Sequence, residues 1–205
     1  MSGVISFNPW LTTNAENSFS LQTIGATQGF IFDDPVINPT QISTAIVGSG
    51  NTAPLTGGWP LQVQLYTSSA SREAMNKSAL LATTNAEITA FSTFTYAENG
   101  IVVPGSDNAP LYGVGGTLNF LNFGTNARLV VQATPALMNS LTNGTPVNTQ
   151  VSWNFTSNML DVYNSTTGAL PIKNIAEIFA GNALVVQQVS GMWKFVLGDA
   201  VAITL

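Results

Sequence analysis

Short runs in which apolar and polar residues alternate, each fenced by Gly, Pro, Asn or Ser, constrain this chain more than any other feature. Leu61-Gln62-Val63-Gln64-Leu65-Tyr66 is the plainest run, with Pro54, Gly57, Gly58 and Pro60 ahead of it. A period of two sends successive side chains to opposite faces, which suits a half-buried strand. In residues 91–96, Phe91, Thr93 and Thr95 oppose Ser92, Phe94 and Tyr96, so both faces of that strand can be covered. Val151, Trp153 and Phe155 repeat the alternation near the C-terminus. Turn signals recur roughly every 8–12 residues, which predicts a mainly-β fold. A sandwich or jelly-roll-like antiparallel arrangement with one or two short helices fits that spacing.

The chain divides into three stretches. Residues 1–40 read as an extended N-terminal arm, because Pro9, Pro35 and Pro39 disfavour helix and the polar residues 14–18 interrupt any apolar period. Short strands fit residues 18–21 and 28–32. Phe7, Trp10, Phe19, Phe30 and Phe32 on such an arm must be buried, either in the protein's own core or against a neighbouring subunit. Phe7, Pro9, Trp10 and Phe19 are the candidate subunit or capsid contacts. Residues 41–147 form a β-rich core. Within it, residues 71–86 are rich in good helix formers and predict a helix. The glycine-rich residues 113–116 predict a bend. Residues 118–123 and 128–133 predict strands joined around Gly124-Thr125-Asn126, and residues 135–141 a short helical turn. Residues 148–205 supply C-terminal β segments packed with the core as one domain. There, residues 170–179 fit either a strand or one face of a helix. Residues 183–189, 192–197 and 200–205 predict separate strands, with Gly181-Asn182, Ser190-Gly191 and Gly198-Asp199 between them.

Composition removes several function classes. The chain has 0 Cys and 0 His, so disulfides, thiolate metal sites and imidazole catalysis are excluded. No catalytic residue, cofactor or metal site is expected. The acidic residues are scattered singly apart from Asp33-Asp34, and adjacent residues on a strand face opposite ways, so a turn or cap role suits that pair. A net charge of −5 with only 5 Lys and Arg leaves no basic footprint for nucleic acid. No apolar run reaches the about 18 residues of a membrane-spanning helix, so no membrane partner is expected.

Charged residues make up only 7% of the chain, and Thr, Asn, Ser and Gly are abundant, as in extracellular β-proteins. The opening residues 1–10 nevertheless carry no basic n-region and no apolar h-region. That mismatch leads to the expectation of a protein made in a host cytoplasm and released by lysis, as virus particles are. Of the four Trp residues, Trp153 and Trp193 lie in alternating strands and read as core anchors. Trp59 lies between Gly58 and Pro60, and with Tyr112 it forms the candidate glycan contact of an alternative, receptor-module reading.

Two stretches together resemble virion structural proteins of tailed bacteriophages. The first is Asn17-Ser18-Phe19, Gly29 and Asp33-Asp34-Pro35, then Gly57-Gly58 leading into Leu61-Gln62-Val63. The second is Val151-Ser152-Trp153-Asn154-Phe155, then Asn182, Trp193 and Gly198-Asp199-Ala200-Val201-Ala202-Ile203. The resemblance implies a non-enzymatic virion component, first of all a capsid decoration (cement) protein, and next a capsid, head-fibre or tail component. It also implies a homo-oligomer, commonly a trimer, partnered by the major capsid protein or other virion proteins.

Overall fold

The computed structural model describes residues 26–32, 42–65, 77–94 and 109–205. Among these residues there are eleven strands and one α-helix. In chain order they are β1 (Ala26–Thr27), β2 (Ile42–Val47), β3 (Pro60–Leu65), β4 (Lys77–Leu81), β5 (Ala90–Thr93), β6 (Thr117–Asn122), β7 (Arg128–Gln132), α1 (Pro135–Thr142), β8 (Val151–Asn154), β9 (Met159–Val162), β10 (Asn174–Val189) and β11 (Met192–Thr204). The protein is mainly β, as the alternation predicts.

Five strands close a small barrel in the order β2-β4-β3-β5-β6. Four of its five pairings are antiparallel, and the β2–β4 pair that closes it is parallel. Beside it lies a four-stranded sheet, β1-β10-β11-β7, and a two-stranded ribbon, β8-β9. The antiparallel expectation therefore holds for most pairs, with parallel exceptions at β2–β4 and β1–β10. One contiguous apolar core runs through barrel, sheet and ribbon, from Phe30 to Leu205. No break in that core falls between residues 147 and 148. β7 pairs with β11 across that boundary, and Ile175 N–H donates to the Val147 carbonyl at 2.8 Å.

Both faces of β5 are covered, as its alternation predicts. Phe91 packs edge-on against Trp153, with ring centroids 5.6 Å apart. On the other face the Ser92 hydroxyl accepts from Trp59 N–H at 3.0 Å and donates to the Thr56 carbonyl at 2.5 Å. α1 confirms the helical turn predicted at residues 135–141. Thr134 caps it by accepting from Leu137 N–H at 3.3 Å, and Pro135 opens its first turn.

Two expectations are corrected. The helix over residues 71–86 is not formed in the described part: Lys77–Leu81 is β4, and Asn85–Glu87 is a single 3₁₀ turn, while residues 71–76 lie outside the described residues. Helix propensity amounts to a few tenths of a kcal/mol per residue. β4 instead gains hydrogen bonds on both edges, from β2 and β3, and buries Ala79 completely. The strands expected on either side of Gly124-Thr125-Asn126 are β6 and β7, and these residues carry the chain from the barrel to the sheet. The three C-terminal segments from residue 183 onward, with the ambiguous stretch before them, are two long strands. Of the three expected breaks, Ser190-Gly191 alone is a turn, with φ of 52° and 81°. Gly181-Asn182 and Gly198-Asp199 face each other across an irregularity between Phe179 and Ala183, where Gly181 N–H donates to Asp199 Oδ1 at 2.8 Å.

Residues 26–32, part of the predicted arm, are built into the body. β1 lies parallel on the outer edge of β10, and Ile31 then bridges antiparallel to Leu129 of β7. One U-shaped strap thus holds both edge strands of the sheet. Beneath it a second apolar cluster is lined by Phe179, Ala183, Val185, Ala200, Ala202 and Val130. Small residues keep the layers close here; a Cβ on Gly198 would meet Val185 Cγ2 at 2.7 Å. The aromatic residues of the strap bury in the protein's own core. Phe30 packs on Phe94 with centroids 5.1 Å apart, and Phe32 packs on Phe179 at 5.2 Å.

Candidate interaction surface

The long β10–β11 hairpin is the feature that most shapes the outer surface. Sixteen residues of β10 span roughly 50 Å at about 3.3 Å per residue. Val189 and Met192 pair at its tip and are exposed, Met192 at 53%. Leu197, at 59% exposure, pairs with half-buried Leu184, and the exposed Ile178 pairs with Val201 farther along. By strand alternation Leu197 and Val201 share one face, and Met192 lies on the other. Apolar side chains therefore project from both faces of the hairpin.

Its backbone edges are occupied at several points. On the outer side of β10, Ile175 N–H donates to Val147 O at 2.8 Å, Gln28 N–H donates to Leu184 O at 2.8 Å, and Val186 N–H donates to Gln28 Oε1 at 2.8 Å. On the outer side of β11, Ala109 N–H donates to Trp193 O at 3.0 Å and Ala133 N–H to Asp199 O at 3.1 Å. Together with the irregularity at residues 180–182, these bonds blunt strand-to-strand addition.

The candidate glycan contacts are corrected. Trp59 is 3% exposed and meets Trp193 edge-on, with centroids 5.4 Å apart. Tyr112 is 7% exposed, and its backbone exchanges hydrogen bonds with Leu55 at 2.8 and 3.0 Å. Neither ring offers a face for a sugar to stack on. The alternation already held the signal for Trp59. Extended back across Pro60, it puts Trp59 on the same side as Leu61, which is fully buried. The candidate subunit contacts Phe7, Pro9, Trp10 and Phe19 lie outside the described residues, as does Asp33-Asp34.

Two carboxylates, Asp161 and Glu87, brace local structure. Asp161 Oδ1 accepts from the Thr134 hydroxyl at 2.6 Å and from Val162 N–H at 2.8 Å, and Oδ2 accepts from Asn154 Nδ2 at 3.2 Å. Partial burial works against its ionisation, but the bonds from Thr134, Asn154 and Val162 outweigh it and hold the carboxyl below its ordinary range. Glu87 is likewise lowered by the hydroxyl and N–H of Thr83. Among the described residues no three acidic side chains gather as a metal site, and no helix is long and apolar enough to cross a membrane. A cleft of about 260 Å³ beside Gly48, Gly50, Ser78, Leu80, Val114 and Gly115 is lined by backbone, aliphatic groups and serine hydroxyls. None of the described residues lining it is a general base at neutral pH.

Comparison with family models, with curated proteins and with solved structures finds no match to this chain.

Proposed function

We propose that this is a non-enzymatic structural protein of a virus particle. Within that class, the reading is a capsid decoration (cement) protein of a tailed bacteriophage, assembled as a homo-oligomer and bound to the major capsid protein. The observation that carries it is the β10–β11 hairpin, which exposes Met192, Leu197 and Ile178 while its backbone edges are bonded at several points. Apolar side chains on a rigid, edge-blunted β ribbon favour lasting side-chain contacts between subunits. The low charge of the chain, 7%, acts in the same direction, because few ions must be desolvated when such a surface is covered. The resemblance of the two sequence stretches to phage virion proteins supplies the particular class.

The test is density-gradient sedimentation of lysate from the producing cells, with the protein quantified by mass spectrometry against a major capsid protein. Co-sedimentation in numbers comparable to the capsid subunit supports the decoration role. A few copies per particle move the protein to a head fibre, vertex or tail. Recovery only at the top of the gradient overturns the virion reading.

A further inference from the structure

The geometry points to a mechanical role for residues 26–32: they form a shear clamp that delivers tension on the preceding chain into both edges of the sheet and into the barrel at once. The inference rests on the bonds of the strap and holds whether or not the protein belongs to a virion.

Gln28 is the centre of the clamp. It is fully buried, and its N–H, Oε1 and Nε2 all bond across element boundaries. Its N–H donates to Leu184 O at 2.8 Å, its Oε1 accepts from Val186 N–H at 2.8 Å, and its Nε2 donates to Gly57 O at 3.1 Å. One side chain thus continues the ladder of β10 and ties it to the barrel loop before β3. The next residue, Gly29, donates to Val130 O at 2.9 Å, and its carbonyl accepts from Phe94 N–H at 2.7 Å and the Thr93 hydroxyl at 3.0 Å. Beyond it, Val130 N–H donates to Phe30 O at 3.1 Å and Phe32 N–H to Arg128 O at 2.8 Å. The short strap of residues 26–32 is therefore bonded to β10, β7, β5 and the loop at Gly57.

The direction of the strands decides how these bonds meet a load. β1 is parallel to β10, with Ala26 opposite Ala183 and Thr27 opposite Leu184. Tension applied ahead of Ala26, against an anchor at the hairpin tip, acts along β10 and strains the bonds together. Against an anchor at residue 205, the load acts from the same end as the strap's entry, because Thr204 lies opposite Asn174 at the start of β10. The bonds then open one after another. Bonds that must break together resist more force than bonds that peel, and rupture under force follows the unfolding rate rather than the equilibrium stability.

The chain has 0 Cys, so a single Met192→Cys change at the exposed tip gives a unique attachment point. Single-molecule pulling on the full chain compares handles at residue 1 and Met192→Cys with handles at residues 1 and 205. The expected result is a rupture force at least about twofold higher in the first geometry. Gln28→Ala should speed unfolding in that geometry by roughly tenfold while changing the second far less. Equal forces in the two geometries overturn the clamp, and that comparison needs no change in the strap. A Gln28→Ala chain that folds and keeps the full force in the first geometry overturns the role of Gln28.

Discussion

The side-chain amide of Asn85 joins two parts of the chain 68 residues apart: its Oδ1 accepts from Trp153 N–H at 2.8 Å. Its Nδ2 donates to Thr167 O at 3.1 Å, so one buried amide links the turn after β4 to both β8 and the loop beyond β9. Asn85→Leu keeps the volume and removes both bonds. The expected loss is about 1–3 kcal/mol for each group left unpaired. Urea denaturation checks it. An unchanged midpoint would show that water reaches Trp153 N–H and Thr167 O.

Trp59 should behave as a core residue. Trp59→Ala is expected to cost about 3–5 kcal/mol, in the range of other buried aromatic truncations. The same change at an exposed sugar platform would stay within about 0.5 kcal/mol. Chemical denaturation separates the two. Glycan titration of the native protein followed by tryptophan fluorescence should show no saturable change from Trp59.

Asp161 makes part of the stability depend on acid. Its folded carboxyl lies below its ordinary value, so its contribution is fully present above the unfolded pKa of about 3.9 and is lost as the pH falls through the folded value. Asp161→Ala should therefore lower the melting temperature at neutral pH, and the gap to the wild type should narrow below about pH 4. A gap that stays constant from neutral to strongly acidic pH would remove the carboxylate from the cap of α1.

Gly29 and Gly144 share a left-handed backbone but differ in their surroundings. Gly29 has φ of 81°, and a Cβ there would lie 2.6 Å from the Gly57 backbone. Gly144 has φ of 91° with nothing within 4 Å of the added carbon. Gly144→Ala should cost about 1–2 kcal/mol from φ alone. Gly29→Ala adds the clash and should cost about 3 kcal/mol or more. Thermal melts of the two variants compare them directly, and equal losses would mean that Gly57 can move aside.

The hairpin surface separates assembly from folding. Met192→Lys with Leu197→Lys should leave the monomer's stability within about 0.5 kcal/mol per site. The pair should abolish self-association and particle binding, read by light scattering and by gradient sedimentation. Full occupancy on particles despite a folded double variant would take the hairpin out of the interface.

Local pattern was enough for the β class, for both covered faces of β5, for α1 behind Thr134-Pro135 and for the turn at Ser190-Gly191. Each of these depends on residues within a few positions of one another, so alternation, a cap or a left-handed pair reports it. The candidate site was only half legible. The sequence marks residues 183–189, 192–197 and 200–205 as strands, but it cannot show which of their apolar side chains stay uncovered, because the covering residues come from elsewhere in the chain. Tertiary structure alone made residues 77–81 a strand, since β2 and β3 hydrogen-bond both its edges and outweigh its helix propensity. It alone merged the C-terminal segments, by setting Gly198 opposite Ala183 and Asp199 against Gly181. And it alone folded Gln28 between β10 and the Gly57 loop, 158 residues ahead of Val186 and 29 ahead of Gly57 in the chain. Bonds between such distant residues arise from packing the whole chain at once, and no local run of sequence encodes them.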